Sequence, residues 1–199
     1  MKKPLKIAVT GGIGSGKSLF CKFLEDRGFV VIKADQLAKE LMKSDPLVKR
    51  EITETFGSEV YSNGELNTSL LAKKIFSDSE NVKKINSIVH PAVVRQIEKD
   101  IAIKFDSEKA VFVEAALIIE AKMEEMFDNI VLITADEKVK IERIIQRDNL
   151  TREEILDRIK NQIPDEIKKK KAHFIFLNNG EGSELEQKVE LLLSLLDLK

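Results

Sequence analysis

Gly11-Gly12-Ile13-Gly14-Ser15-Gly16-Lys17-Ser18 is the stretch that decides the fold. It fits G-x-x-x-x-G-K-[ST], the P-loop pattern. Upstream, Leu5-Lys6-Ile7-Ala8-Val9-Thr10 is short and apolar enough for a buried strand. Downstream, Leu19-Phe20-Cys21-Lys22-Phe23-Leu24-Glu25 has helical apolar spacing, and Gly28 is placed to stop that helix. Strand, glycine loop and helix together turn backbone N–H groups of Gly12, Ile13, Gly14, Ser15 and Gly16 toward a phosphate at a helix N-terminus. Lys17 then reaches the β- and γ-phosphates, and the Ser18 hydroxyl ligates Mg²⁺. The plainer alternative is a glycine-rich strand-to-helix turn with an exposed lysine. The agreement of both flanks with the motif argues against it.

The remaining apolar runs extend this start into a sheet. Phe29 to Ile32, Ala110 to Val113, Asn129 to Ile133 and Phe174 to Leu177 are brief and apolar, as parallel strands covered on both faces should be. Helical stretches alternate with them. The expectation is an α/β, doubly wound, five-stranded parallel sheet of the P-loop NTPase kind, with chemistry at the carboxyl ends of the strands. Two stretches interrupt the alternation. Residues 36–108 read as a helical insert punctuated by Pro46, Gly57, Ser62-Asn63-Gly64 and Pro91, suited to substrate binding or to extending the core. Residues 136–171 read as a helical pair, broken near Asn149-Leu150 and at Pro164, that could close as a lid. Residues 1–35, 109–135 and 172–199 are left as the nucleotide-binding core. Glu184 to Leu198 closes it as an amphipathic helix with no chemistry of its own.

Asp35 ends the second strand, read as the neighbour of the P-loop strand. A carboxylate there can orient an acceptor hydroxyl and take its proton. It also precedes Gln36-Leu37-Ala38 and is placed to cap a helix, and the two roles are compatible. Arg143 and Arg147, one turn apart on the lid, suit the charge developing on a transferred phosphoryl group, or belong to an ordinary solvated face. The run Lys168 to Lys171 reads as a solvated face. His90-Pro91 reads as the start of a helix.

Bulk composition narrows the field. With 43% hydrophobic and 34% charged residues and a net charge of −1, the chain has a globular composition and no basic field for nucleic acid. One cysteine and two distant histidines give no zinc spacing and fit a reducing cytoplasm. No apolar run approaches membrane-spanning length. A guanine-reading N-K-x-D is absent, which argues against a GTP switch.

Thr10 to Ser18 closely resembles the P-loop of dephospho-coenzyme A kinases. Further matches follow in order: Lys33 to Lys39, Phe56-Gly57, Gly64-Glu65-Leu66, Ile75-Phe76, His90-Pro91, Leu117 to Glu120, Arg143 with Arg147-Asp148, Arg158 with Gln162, and Asn178-Asn179-Gly180. The resemblance spans nearly the whole chain. It implies ATP-dependent phosphorylation of the ribose 3′-hydroxyl of dephospho-CoA, the last step of coenzyme A synthesis, with Mg²⁺. It further implies a cytoplasmic enzyme, monomeric or weakly homo-oligomeric, whose partners are ATP and dephospho-CoA. It casts Lys17, Asp35 and Arg143 as catalytic, and Asp35, His90 and Glu120 as substrate-binding. Arg147, Asn178 and Gly180 join the loop in holding ATP. The chain departs from the family pattern at Lys33, where the first aspartate of a D-x-D stands, at Leu19, Thr68 and Ala116, and at His173, where Ala-Asp is usual.

Overall fold

The structure, a computed structural model, describes residues 3–148 and 151–199. The break expected at Asn149-Leu150 lies outside the described residues. The chain divides into two compact units, Met1–Lys33 with Ile101–Lys199, and Ala34–Asp100.

The first unit opens with β1 (Leu5–Thr10), the glycine loop, α1 (Lys17–Glu25) and β2 (Val30–Lys33). The second contains α2 (Ala34–Ser44), α3 (Pro46–Phe56), a small hairpin of β3 (Tyr61–Ser62) and β4 (Glu65–Leu66), α4 (Thr68–Phe76), and most of α5 (Ser79–Lys104). Local chemistry sets these boundaries. Asp45 caps α3, its carboxylate accepting from the Leu47 and Val48 amides, with Pro46 as first helical residue. Asn67 caps α4 through the Leu70 amide.

Two expectations are corrected in this unit. His90-Pro91 does not start a helix, because Pro91 lies inside α5. A mid-helix proline costs about 3 kcal/mol. Here the stripe Ile85, Val89, Ala92, Val93 and Ile97, buried at helical spacing, carries the helix through it. Asp35 is not the cap of α2. The helix begins at Ala34 directly after β2, which puts Asp35 in its first turn, a position the helix dipole favours.

The chain returns to the first unit with β5 (Ala110–Glu114) and β6 (Asn129–Thr134). Then come α6 (Glu137–Asp148), α7 (Arg152–Lys160), α8 (Asp165–Lys169), β7 (Phe174–Leu177) and α9 (Gly182–Leu195). All five long strands run parallel, in the order β2-β5-β1-β6-β7. The five expected strands are all present, each within a residue of its expected ends. One part of that expectation fails. One of the two rim strands, β7, is not covered on both faces, and Ile175 and Leu177 are about half exposed. Between the sheet and α1 and α9 lies a core of Ile7, Val9, Phe20, Leu24, Phe112, Val131, Ile133, Leu185, Val189 and Leu192. Phe20 stacks on Phe176 with ring centroids 5.8 Å apart. Cys21 is buried in this core, and its burial pushes the thiol pKa well up.

Candidate active site

The site grows out of the end of β1. Gly11 has φ +151°, and a Cβ there would meet the Ile133 carbonyl oxygen at 2.1 Å. The loop therefore passes against β6 closely enough that only glycine fits. Gly16, at φ +97°, opens α1, and a Cβ on it would lie 2.2 Å from Asn178 Nδ2. Asn178 comes from the turn after β7. It is buried, and its Nδ2 donates to the Ser15 carbonyl at 2.8 Å while its amide donates to Thr134 O at 2.7 Å. The Arg143 guanidinium, from α6, donates to the carbonyls of Asn178 (2.9 Å) and Gly180 (3.1 Å). The P-loop, the turn after β7 and α6 are thus joined through Asn178.

Together they enclose a cleft of about 490 Å³ lined by Gly14, Gly16, Lys17, Ser18, Leu19, Arg143, Ile144, Arg147, Asn178, Gly180 and Gly182. Eight of the residues singled out from the sequence line it. Lys17 Nζ donates to the Gly12 carbonyl at 3.2 Å. The Arg147 guanidinium is held bidentately by Asp148, with both bonds 2.7 Å. Gly12, Ile13 and Ser15 shape the loop without lining the cleft. Asp35 and His90 belong to the second unit. His90 is half-buried, and burial lowers its pKa below the usual 6.5.

The sheet order corrects one expectation about Asp35. The strand that ends before it, β2, does not neighbour β1, because β5 lies between them. Ala110 to Val113 are wholly buried, whereas β2, at the rim of the sheet, is only half-buried along its length. The consequence is a site residue that the sequence reading passed over. Glu114, at the end of β5 in register with Val9, accepts a 2.6 Å hydrogen bond from Ser18 Oγ. A carboxylate at a strand end beside a P-loop hydroxyl is the signal that could have found it. A hydroxyl and a carboxylate so placed are the hard oxygen donors Mg²⁺ uses together with nucleotide phosphates. Among the described residues no group of three His, Cys, Asp or Glu gathers into a metal site.

A second correction concerns the lysine run. Lys168 is wholly buried, its Nζ 2.8 Å from Glu120 Oε1. Glu120 Oε1 also accepts from the Ile163 amide at 3.3 Å, and its Oε2 is buried with no partner among the described residues. Lys168 occupies the inner side of α8, whereas Lys169 and Lys171 are exposed. Two departures from the family pattern have structural roles. Lys33 pairs with Glu25 on α1 at 2.9 Å. His173 Nδ1 accepts from the Ile130 amide, and its own amide donates to Ile130 O, both at 2.9 Å, which fastens the lead-in of β7 to β6.

The family model for dephospho-CoA kinase (CoaE) matches residues 5–184. The dephospho-CoA kinase of Bacteroides fragilis is 36% identical over 188 residues, 94% of this chain and 91% of the relative. Among solved structures, TT1252 from Thermus thermophilus superposes with a TM-score of 0.84 at 32% identity, covering 98% of this chain and 99% of the other. Dephospho-CoA kinase from Campylobacter jejuni gives 0.73 at 27% identity, with 96% of each chain covered. Among the described residues no helix is long and apolar enough to cross a membrane.

Proposed function

Because this chain belongs to the dephospho-CoA kinase family, we propose that it transfers the γ-phosphoryl group of ATP to the ribose 3′-hydroxyl of dephospho-CoA, giving CoA and ADP. The observation that carries this reading is the P-loop cleft in a chain matched over almost its full length. The loop amides and Lys17 hold the β- and γ-phosphates. Asn178 and Gly180 border the adenine, in a turn whose carbonyls Arg143 fixes from α6. Ser18 and Glu114, 2.6 Å apart, would hold Mg²⁺, which would supply positive charge to the nucleotide phosphates.

Asp35 accepts the proton of the attacking 3′-hydroxyl. The oxygen then forms its bond to the γ-phosphorus as the bond to the bridging oxygen of ADP breaks. Lys17, Arg143 and Arg147 counter the charge on the transferred group. Residues 36–108, with His90, bind the acceptor, Glu120 is a further substrate-binding residue, and residues 136–171 act as a lid on the nucleotide. The enzyme works in the cytoplasm as a monomer or weak homo-oligomer.

The test is product formation with ATP and Mg²⁺. Dephospho-CoA should gain one phosphoryl group, placed at the 3′ position by phosphorus NMR. Efficient phosphorylation of AMP or shikimate with dephospho-CoA untouched refutes the reading.

A further inference from the structure

Most P-loop amides are expected to serve the phosphates, but that of Ile13 is taken by the protein itself. It donates to Gln162 Oε1 at 2.9 Å. The other end of the same peptide is also held. The Gly12 carbonyl accepts from the Ser15 amide and from Lys17 Nζ, both at 3.2 Å. The Gly12–Ile13 peptide therefore cannot turn without breaking bonds at both ends, and one of those bonds positions Lys17. The loop lies against the same neighbours along this edge. A Cβ on Gly12 would stand 3.3 Å from Gln162 Oε1, 3.5 Å from Lys140 Nζ and 3.7 Å from Asp165 Oδ1.

Gln162 is a firm anchor because the residues after it are pinned to three elements. The Ile163 amide donates to Glu120 in the loop after β5. Asp165 accepts from Thr134 Oγ1, at the end of β6, at 2.7 Å and from Lys140 on α6. Lys168 pairs with Glu120. On the other side, Gln162 comes right after Asn161, the C-cap of α7, and its amide donates to the Ile159 carbonyl.

We propose that Gln162 is a positioning residue for phosphoryl transfer, holding the Gly12–Ile13 peptide, and through it Lys17, in the orientation that receives the γ-phosphate. This rests on the kinase reading given above. It places the alignment of the P-loop under the control of the segment that joins α7 to α8. A tilt of α7 then reaches the phosphate loop through this side-chain carbonyl as well as through Ile13, which packs on the cluster of Ile141, Ile144 and Ile155.

The test compares wild type with Gln162→Met, which keeps the length and removes the acceptor, and Gln162→Glu, which keeps an acceptor for the Ile13 amide. Steady-state rates with ATP and dephospho-CoA are measured alongside amide hydrogen exchange by NMR. In Q162M, kcat should fall roughly ten- to a hundredfold, the scale of a small misplacement of a reacting group. The KM for dephospho-CoA should stay within about twofold. Exchange at the Ile13 amide should accelerate by roughly tenfold or more while the Val9 amide in β1 stays protected. Q162E, at saturating ATP, should have a kcat above that of Q162M and a slow Ile13 amide. Wild-type kcat in Q162M, an unchanged Ile13 amide, or a Q162E no better than Q162M overturns the proposal. Loss of Val9 protection together with Ile13 overturns it too, since Gln162 would then be supporting the fold as a whole. Absence of CoA formation by the wild type would instead refute the assigned reaction.

Discussion

Replacing Lys168 by methionine should be among the most damaging single changes in the first unit. The lysine is wholly buried and the Glu120 side chain only 15% exposed, with Nζ and Oε1 2.8 Å apart. At that separation, and with an effective dielectric constant of about 20, the gross attraction is about 6 kcal/mol. Much of it is offset by desolvation of the two charges, so the net value of the pair is small. Removing one partner is a different matter. Methionine matches the length of the stem but leaves a buried carboxylate with the Ile163 amide on Oε1 and nothing on Oε2 among the described residues. Orphaning one member of a buried pair costs about 3–5 kcal/mol. With a urea slope of about 3 kcal/mol/M for a chain of this size, the midpoint should move down by about 1 M or more. Urea unfolding followed by circular dichroism reads this directly. Lys169→Ala is the control. Its side chain is 38% exposed and pairs with Glu166 three residues away, a solvent-screened pair that contributes little. Adding Glu120→Leu to Lys168→Met should recover much of the loss, because the stranded charge goes as well. Equal midpoints for Lys168→Met and Lys169→Ala, or a double variant weaker than Lys168→Met alone, would refute the reasoning.

Four further outcomes are expected. Lys17→Ala should lower kcat about a hundredfold or more in a coupled ADP-release assay, with the fold intact by circular dichroism. Asp35→Asn should cut kcat strongly while calorimetric ATP affinity stays near that of wild type, since the amide cannot take the proton. Gly16→Ala should weaken ATP binding and lower stability by about 1–3 kcal/mol, as a Cβ at φ +97° meets Asn178 Nδ2 at 2.2 Å; both can be read by calorimetry and urea unfolding. Because burial lowers the His90 pKa, the unfolded chain binds this proton first as pH falls through 6.5, so the contribution of the neutral ring is full above that pH and declines below it. Urea midpoints at pH 7.5 and 5.5 should therefore differ more in wild type than in His90→Gln.

The strands were legible because a central parallel strand is a short unbroken apolar run, and Ala110 to Val113 and Asn129 to Ile133 are too short for helices and rich in β-branched or aromatic residues. The nucleotide loop was legible because its glycines are demanded by close backbone approach. Failures came where a local signal was overruled at a distance. Pro91 is a helix-starting signal in isolation, yet the buried stripe from Ile85 to Ile97 outweighs it. Lys168 is chemically indistinguishable from Lys169 to Lys171, and only a carboxylate 48 residues earlier makes it an interior residue. Lys140 carries no motif that announces proximity to the loop, and Glu114 and Gln162, though at a strand end and in a family match, do not by themselves say which atom of the loop they meet. Strand order and helix packing put them there.

Asn178 has a consequence for how the protein is made. The Ser15 carbonyl it holds lies 163 residues earlier in the chain. The phosphate loop thus leaves the ribosome well before the residue that locks it. At about 5–20 residues per second, the loop waits roughly ten to thirty seconds for its partner. Through that interval β1 and α1 also lack α9, whose Leu185, Val189 and Leu192 complete their core. Affinity for ATP should therefore appear only once the turn after β7 and α9 have both joined β1 and α1.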